Sequence, residues 1–173
     1  MLETSENLNN QAIELASQGD YAEAIACFQR AISIEKENYL LWFNLGLTYR
    51  DAGNINGARA ALEKAYGINP VDEEVLETLA IICYSMSDFD EAFKYTAEGL
   101  HLNEENYRLW NTLGVLYFNQ SDYGSASEAF EQALTINPYY YDSLFNLRDA
   151  YGEMGNTIGM IECSKRMAAL PSR

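Results

Sequence analysis

His101 is the only histidine of the chain, and its three cysteines, Cys27, Cys83 and Cys163, lie far apart with no C-x-x-C pair. A zinc site needs clustered thiols or imidazoles, and a nucleophilic serine or cysteine needs a base that a motif brings to it. The sequence has neither, and it contains no phosphate-cradling glycine loop, nucleophile elbow or H-E-x-x-H. His101 falls near the end of an expected helix, in His101-Leu102-Asn103, where an imidazole is a surface residue. The acidic pairs Glu73-Glu74 and Glu104-Glu105 have the composition for acid–base work. They stand where helices are expected to begin, and the positive helix N-terminus accounts for them. Asn119-Gln120-Ser121 matches a glycosylation triplet by chance. The reading is a chain that is not an enzyme and takes no cofactor or metal.

Composition narrows the class further. The 173 residues carry 26 acidic against 11 basic side chains, a net charge of −15, with 48% hydrophobic and 13% aromatic residues. That aromatic content supplies a core and argues against disorder. The acid excess is wrong for phosphate recognition, so no nucleic acid is expected, and equally wrong for an anionic membrane surface. No apolar run approaches the ~18 residues of a membrane span. The start, Met1-Leu2-Glu3-Thr4, lacks a basic segment and an apolar core, so it is not a secretory leader. Unpaired cysteines beside apolar neighbours read as small core residues in a reducing, cytoplasmic compartment.

The positioning elements come from a repeat. Trp42-Phe43-Asn44-Leu45-Gly46-Leu47-Thr48-Tyr49 returns 68 residues on, twice 34, as Trp110-Asn111-Thr112-Leu113-Gly114-Val115-Leu116-Tyr117. A step of 34 also links Ala24, Ala58, Ala92 and Ala126, and it links Ile34, Ile68, Leu102, Ile136 and Leu170. A period of this length means a stacked solenoid. Trp42, Leu45, Gly46 and Tyr49 mark one helical face, Asp51-Ala52-Gly53-Asn54 a break, and Ala58, Leu62 and Ala65 a second helix. Asp20, Asn54, Asp88, Asp122 and Asn156 share a column suited to N-caps, with Glu23 and Glu91 placed for capping boxes. The small Gly46 and Gly114 columns are expected to meet Ala58 and Ala126, and the Trp42 stripe to be core.

The pattern W-x-x-L-G-x-x-Y, then A-x-x-x-F and P, resembles the tetratricopeptide repeat. Trp110, Leu113, Gly114, Tyr117, Ala126, Phe130 and Pro138 match it in full. The resemblance implies an all-α fold, a right-handed superhelical α-solenoid of helix-turn-helix repeats. It implies one domain, 1–173, with repeats at about 5–38, 39–72, 73–106, 107–140 and 141–173. The fifth is degenerate: Arg148 stands in the Gly46/Gly114 column and Met160 in the Ala58/Ala126 column, so that hairpin is expected to be splayed or less stable. Ala168-Ala169-Leu170-Pro171 lacks a polar capping helix, which implies a covering surface or a longer protein.

Members of that family hold other proteins in a concave groove lined by the first helices. Residues rotated about 100° from the Trp42 stripe form a second face on those helices. They are Phe43, Leu47 and Arg50, then Glu77, Ile81 and Tyr84, then Asn111, Val115 and Phe118. The apolar ridge Leu47, Ile81 and Val115 serves either a ligand groove or packing between first helices. Asn10, Asn44 and Asn146 share a column, with Thr78 and Thr112 between them; by the same resemblance they are either an amide ladder that grips a peptide backbone or simply a residue common in that column. The clamp that related proteins use on acidic chaperone tails is missing, since its columns hold Asn9, Ile13, Asn44, Glu74 and Thr78. One repeat on, only Arg108 is supplied. The expected function is an adaptor for a protein or peptide with basic residues around an apolar anchor. Self-assembly through the C-terminal end, as a homo-oligomer, and a secretion-type chaperone are the alternatives.

Overall fold

The computed structural model describes residues 3–171, so Met1 and Leu2 of the leader reading, and the last two residues of the fifth repeat, lie outside the described residues. Among these are ten helices and no strand: α1 (Ser5–Gln18), α2 (Tyr21–Ile34), α3 (Tyr39–Asp51), α4 (Ile55–Ile68), α5 (Glu73–Ser85), α6 (Phe89–Leu102), α7 (Tyr107–Asn119), α8 (Tyr123–Ile136), α9 (Tyr141–Glu153) and α10 (Thr157–Ala168). The first helices α1, α3, α5, α7 and α9 start 34 residues apart. The chain forms two compact units that divide between Ser87 and Asp88, with α1–α5 in the first and α6–α10 in the second.

One backbone device recurs at every turn from a first to a second helix. Gly19, Gly53, Ser87, Ser121 and Gly155, one column, all have positive φ, between 61° and 88°. A left-handed residue lets the chain reverse and lets the next N–H reach back to a carbonyl left open by the helix end. Asn54, Asp122 and Asn156 donate in this way to the carbonyls of Tyr49, Tyr117 and Tyr151, at 2.8, 3.0 and 2.8 Å. Serine in that conformation is strained by its Cβ, a cost only partly offset by the greater freedom glycine has when unfolded. Ser121→Gly should therefore raise stability by about 0.5–1 kcal/mol in chemical denaturation. A loss of stability would mean that the serine side chain, not the backbone, sets the turn.

Three of the five second helices are capped by the side chain in the Asp20/Asn54 column, and in each of the three the third helical residue is small. Asn54, Asp122 and Asn156 accept from the backbone N–H groups of Gly57, Ser125 and Gly159. Ser125 Oγ also donates to Asp122 Oδ2 at 2.7 Å, which holds that carboxyl below its ordinary pKa. Asp20 and Asp88 make no side-chain cap bond, contrary to the capping-box expectation. Their third residues are Glu23 and Glu91, whose carboxylates repel the aspartate, and Glu91 pairs with Lys94 instead at 3.0 Å. Glu73 and Glu74 lie in the first turn of α5 as expected, whereas Glu104 and Glu105 precede α7 in the loop.

In the first unit Leu8, Ala12, Phe28, Ala31, Leu41 and Leu45 are core, with Trp42 and Tyr49 packed on the outside. In the second, Ala126, Phe130, Leu134, Leu144, Leu147 and Cys163 form the core. The tryptophans are not its centre. Both are half-buried, and each donates its indole N–H to a loop carbonyl at 2.8 Å, Trp42 to Lys36 and Trp110 to Glu104. An indole needs that partner, so it pins the inter-repeat loop, while leucine fills the same column completely at Leu8, Leu76 and Leu144.

The glycine notch is also filled differently from expectation. A Cβ on Gly46 would lie 2.7 Å from Leu62 Cγ, and one on Gly114 would lie 2.4 Å from Phe130 Cε1. A large side chain sixteen residues on fills each notch, and at Gly46 the Ala58 carbonyl oxygen stands farther off, 3.3 Å from the added Cβ. The fifth hairpin inverts this pair, with Arg148 in the glycine column and Ser164 in the Leu62/Phe130 column. Arg148 turns to Asp149, at 2.7 and 3.0 Å, and lies over the Phe145 ring at 4.4 Å. Met160 finds room beside Gly152, whose Cβ would be 3.6 Å from Met160 Cε.

Candidate functional site

The residues of the second first-helix face meet different fates. In the first unit Phe43 is 8% exposed and is a packing residue, contrary to the expectation of a partly open side chain. The reason is the neighbouring residue: Asn44 Nδ2 donates to Asn9 Oδ1 at 3.1 Å and holds α3 against α1 on that side. Leu47, Glu77 and Tyr84 are half-buried, and Arg50 is exposed and paired with Asp51 at 2.8 Å. Ile81 is 47% exposed.

Two side chains that the sequence reading left out complete the row. Ile13, one 34-residue step before Leu47, is 47% exposed on α1, and Leu40 is 50% exposed at the start of α3. The step alone would have found Ile13; nothing in the sequence marked Leu40, which lies beside the tryptophan column. Ile13, Leu47 and Ile81 thus occupy equivalent positions on α1, α3 and α5. Leu40 lies in one column with the exposed Glu6 and Glu74. The first unit, residues 1–87, has five basic against thirteen acidic side chains, a net charge of −8.

On α7, in the second unit, the apolar part of the same face is given over to packing, whereas Phe145 of α9, in the Phe43 column, is exposed. Val115 and Phe118 are half-buried against the core, and Phe118 meets Tyr123 edge to face at 5.1 Å. Asn111 accepts from both Asn146 Nδ2 at 3.1 Å and Ser143 Oγ at 2.9 Å. Arg108 is exposed over the Tyr107 ring at 5.6 Å. Two of the three asparagines of the expected ladder therefore use amide N–H groups to tie successive first helices, Asn44 to Asn9 and Asn146 to Asn111, whereas Asn10 is exposed and accepts from its neighbour Asn9. Next to them Tyr107 and Tyr140 meet edge to face at 4.8 Å, and burial, then the Asp142 carboxylate, push the Tyr140 phenol up to about 12.

Elsewhere the three cysteines are buried and form no disulfide, with burial raising the Cys163 thiol. Among the described residues no cluster of three or more His, Cys, Asp or Glu is arranged to hold a metal, and no helix is long and apolar enough to cross a membrane. A cleft of about 450 Å³ lies between α8, α9 and α10, where Tyr151 Oη donates to Glu131 at 2.5 Å.

Sequence profiles described as tetratricopeptide repeat match residues 9–73 and 107–140. The BBSome complex member bbs-4 of Caenorhabditis elegans is 25% identical over 129 residues, 75% of this chain and 28% of that protein. The chain thus spans little more than a quarter of the length of that curated relative. A crystal structure of MamA superposes with a TM-score of 0.84 at 22% identity, covering 96% of this chain and 91% of that one. YrrB, described as a TPR protein with an unusual peptide-binding site, superposes with a TM-score of 0.75 at 18% identity, covering 92% and 82%. At these identities the structures speak for the fold alone.

Proposed function

Because the chain belongs to the tetratricopeptide repeat family, whose members hold other proteins, we propose that it is a non-enzymatic scaffold. Its first-helix face takes an apolar segment of a partner protein flanked by basic residues. The observation that carries this reading is the row Ile13, Leu47 and Ile81 with Leu40 beside it: Ile13, Ile81 and Leu40 remain about half exposed, and Leu47 is half-buried. Helix-to-helix packing does not require large apolar side chains there, and each retains apolar area that a partner can cover. Glu6 and Glu74 around Leu40, and the charge of the first unit, support lysine or arginine beside the anchor. The three buried thiols support a reducing, cytoplasmic setting. End-to-end assembly is the weaker reading. Asn7, Gln11 and Glu14 are exposed on α1 in the columns that hold Leu41, Leu45 and Thr48 on α3, so that side of α1 is polar toward a second copy stacked end to end.

The test is capture of partners, and of peptides from a displayed library, with Ile13, Leu47 and Ile81 changed together to serine. Binding should fall more than about a hundredfold, since each fully buried anchor contributes roughly 1.5–3 kcal/mol and 1.4 kcal/mol is a factor of ten. Val115 is left in place because it packs on the core. Enriched peptides should pair an apolar residue with Lys or Arg and weaken in high salt. Serine at Ala22, Ala60 and Lys64, exposed on second helices, is the control. A folded triple variant that retains full capture would move the binding site elsewhere.

A further inference from the structure

We infer that the segment held on the first-helix face is an amphipathic α-helix of the partner protein, lying across α1, α3 and α5, and not an extended peptide. The inference rests on the reading of that face as the binding site and names the shape of its occupant. An extended segment brings one N–H and one C=O per residue, and covering an apolar row with it strips water from those groups. The face must then replace the water, and its polar side chains are engaged elsewhere. Asn44 Nδ2 donates to Asn9 Oδ1 at 3.1 Å. Thr78 Oγ1, the one donor of that side chain, donates to the Glu74 carbonyl at 2.7 Å. Asn10 Oδ1 accepts from Asn9 at 3.5 Å. The column Asn10, Asn44 and Thr78 therefore cannot supply a donor from every repeat. A helix needs none, because it pairs its backbone groups internally.

The spacing of the apolar side chains fits a helix laid across the array. Ile13, Leu47 and Ile81 stand 34 residues apart at equivalent positions. Leu8, Leu41 and Leu45 share the core between α1 and α3, and Tyr39 Oη donates to Asp72 Oδ2 at 3.0 Å, which brings the start of α3 to the N-cap of α5. Neighbouring packed helices lie roughly 8–10 Å apart, and seven residues of a helix rise about 10.5 Å. Residues one heptad apart share a face, so three of them meet Ile13, Leu47 and Ile81 in turn. The width fits as well. Leu40 precedes Leu47 by two helical turns on α3, about 10.5 Å, which is the diameter of a helix with its side chains. A helix resting between them sets an apolar side chain over Leu40, one turn from its middle anchor. The exposed Glu6 and Glu74 occupy the Leu40 column on α1 and α5, so the equivalent positions of the outer heptads carry lysine or arginine. The surrounding charge agrees. Helices α1 and α5 hold five glutamates and no Lys or Arg, and Arg50 on α3 is paired with Asp51.

The probe is a fluorescein-labelled peptide of three heptads, with leucine at the first position of each and lysine, leucine and lysine in turn at the fourth. Alanine and glutamine fill the other positions to favour the helix. Its anisotropy is titrated with the full chain. Micromolar binding is expected, weakened more than about a hundredfold when Ile13, Leu47 and Ile81 are changed together to serine. If circular dichroism shows that Leu47→Ser disturbs the fold, Ile13→Ser with Ile81→Ser, both about half exposed, should still weaken binding at least about tenfold. A peptide with proline at an outward-facing position of the middle heptad keeps every contact residue but loses the helix, and should bind at least about tenfold more weakly. Reversing the fourth positions to leucine, lysine and leucine keeps the helix and adds apolar surface. It should nevertheless weaken binding about tenfold, through one lost apolar contact and two lost ion pairs. Equal binding of the proline peptide or of the reversed peptide would overturn the inference, and loss of binding in the serine variant would then leave the face itself standing. Binding unchanged by the serine changes would remove the face and the inference with it. No binding of the probe would overturn the inference.

Discussion

Phe130→Ala should lower stability by about 3–5 kcal/mol, the range for truncating a fully buried phenylalanine. The side chain has no exposed area and shares a core with Ala126, Leu134, Leu144 and Leu147. Its ring also fills the notch over Gly114, where an added Cβ would stand 2.4, 2.6 and 2.8 Å from three ring carbons. That geometry makes the two positions interdependent. In the wild type, Gly114→Ala must push the ring or the helices apart, at about 1–3 kcal/mol, against a gain of about 1 kcal/mol in helix propensity. In the Phe130→Ala background the ring is gone and only the gain remains, so Gly114→Ala should then stabilise. A double-mutant cycle by urea denaturation should return a coupling of at least about 1 kcal/mol. Additive effects would show that the helices separate at no cost. The first hairpin, where Ala12 faces the Phe28 column with both buried, shows that such separation is possible when the sequence provides for it.

The amides of α10 should exchange at least about a hundredfold faster than those of α8, although both belong to the same unit. Cys163 is the one buried residue of α10, whereas α8 buries Ala126, Ser127, Ala129, Phe130, Ala133 and Leu134. Opening α10 exposes little apolar area, and in a quasi-one-dimensional array an element with one packed face opens before those with two. A hundredfold corresponds to about 2.7 kcal/mol of opening free energy, less than burying two such side chains provides. The comparison pairs the amides of Ile161 and Cys163 with those of Phe130 and Leu134. Equal protection would mean that the final hairpin opens only with the whole unit. Arg148 is not the source of the difference. It is held by Asp149 and the Phe145 ring, and the small Ser164 in the facing column leaves no side chain for it to displace.

Much of this molecule was legible without coordinates. The 34-residue step and the two apolar stripes per repeat placed ten helices, because burial at a fixed spacing is a property of the chain alone. Gly53 marked a turn for the same kind of reason, since glycine is the residue that takes positive φ freely. Ser87 and Ser121 adopt that conformation too, with φ of 61° and 62°, and no residue-level signal announced it; the turn is imposed by the packing of the helices it joins.

The candidate site was less legible. Phe43 and Leu47 lie on one helical face, yet one is buried and the other half-open, because the cover comes from α1 and the Asn44–Asn9 bond. Val115, in the Leu47 column, packs on a core for a similar reason. The tryptophans had the strongest hydrophobic signal and became loop anchors, since an indole N–H must find a carbonyl. The sequence by itself determined where helices begin, which stripes are apolar and what charge surrounds them. Only the tertiary structure decided which of two apolar stripes stays open, because exposure depends on side chains from other helices tens of residues away.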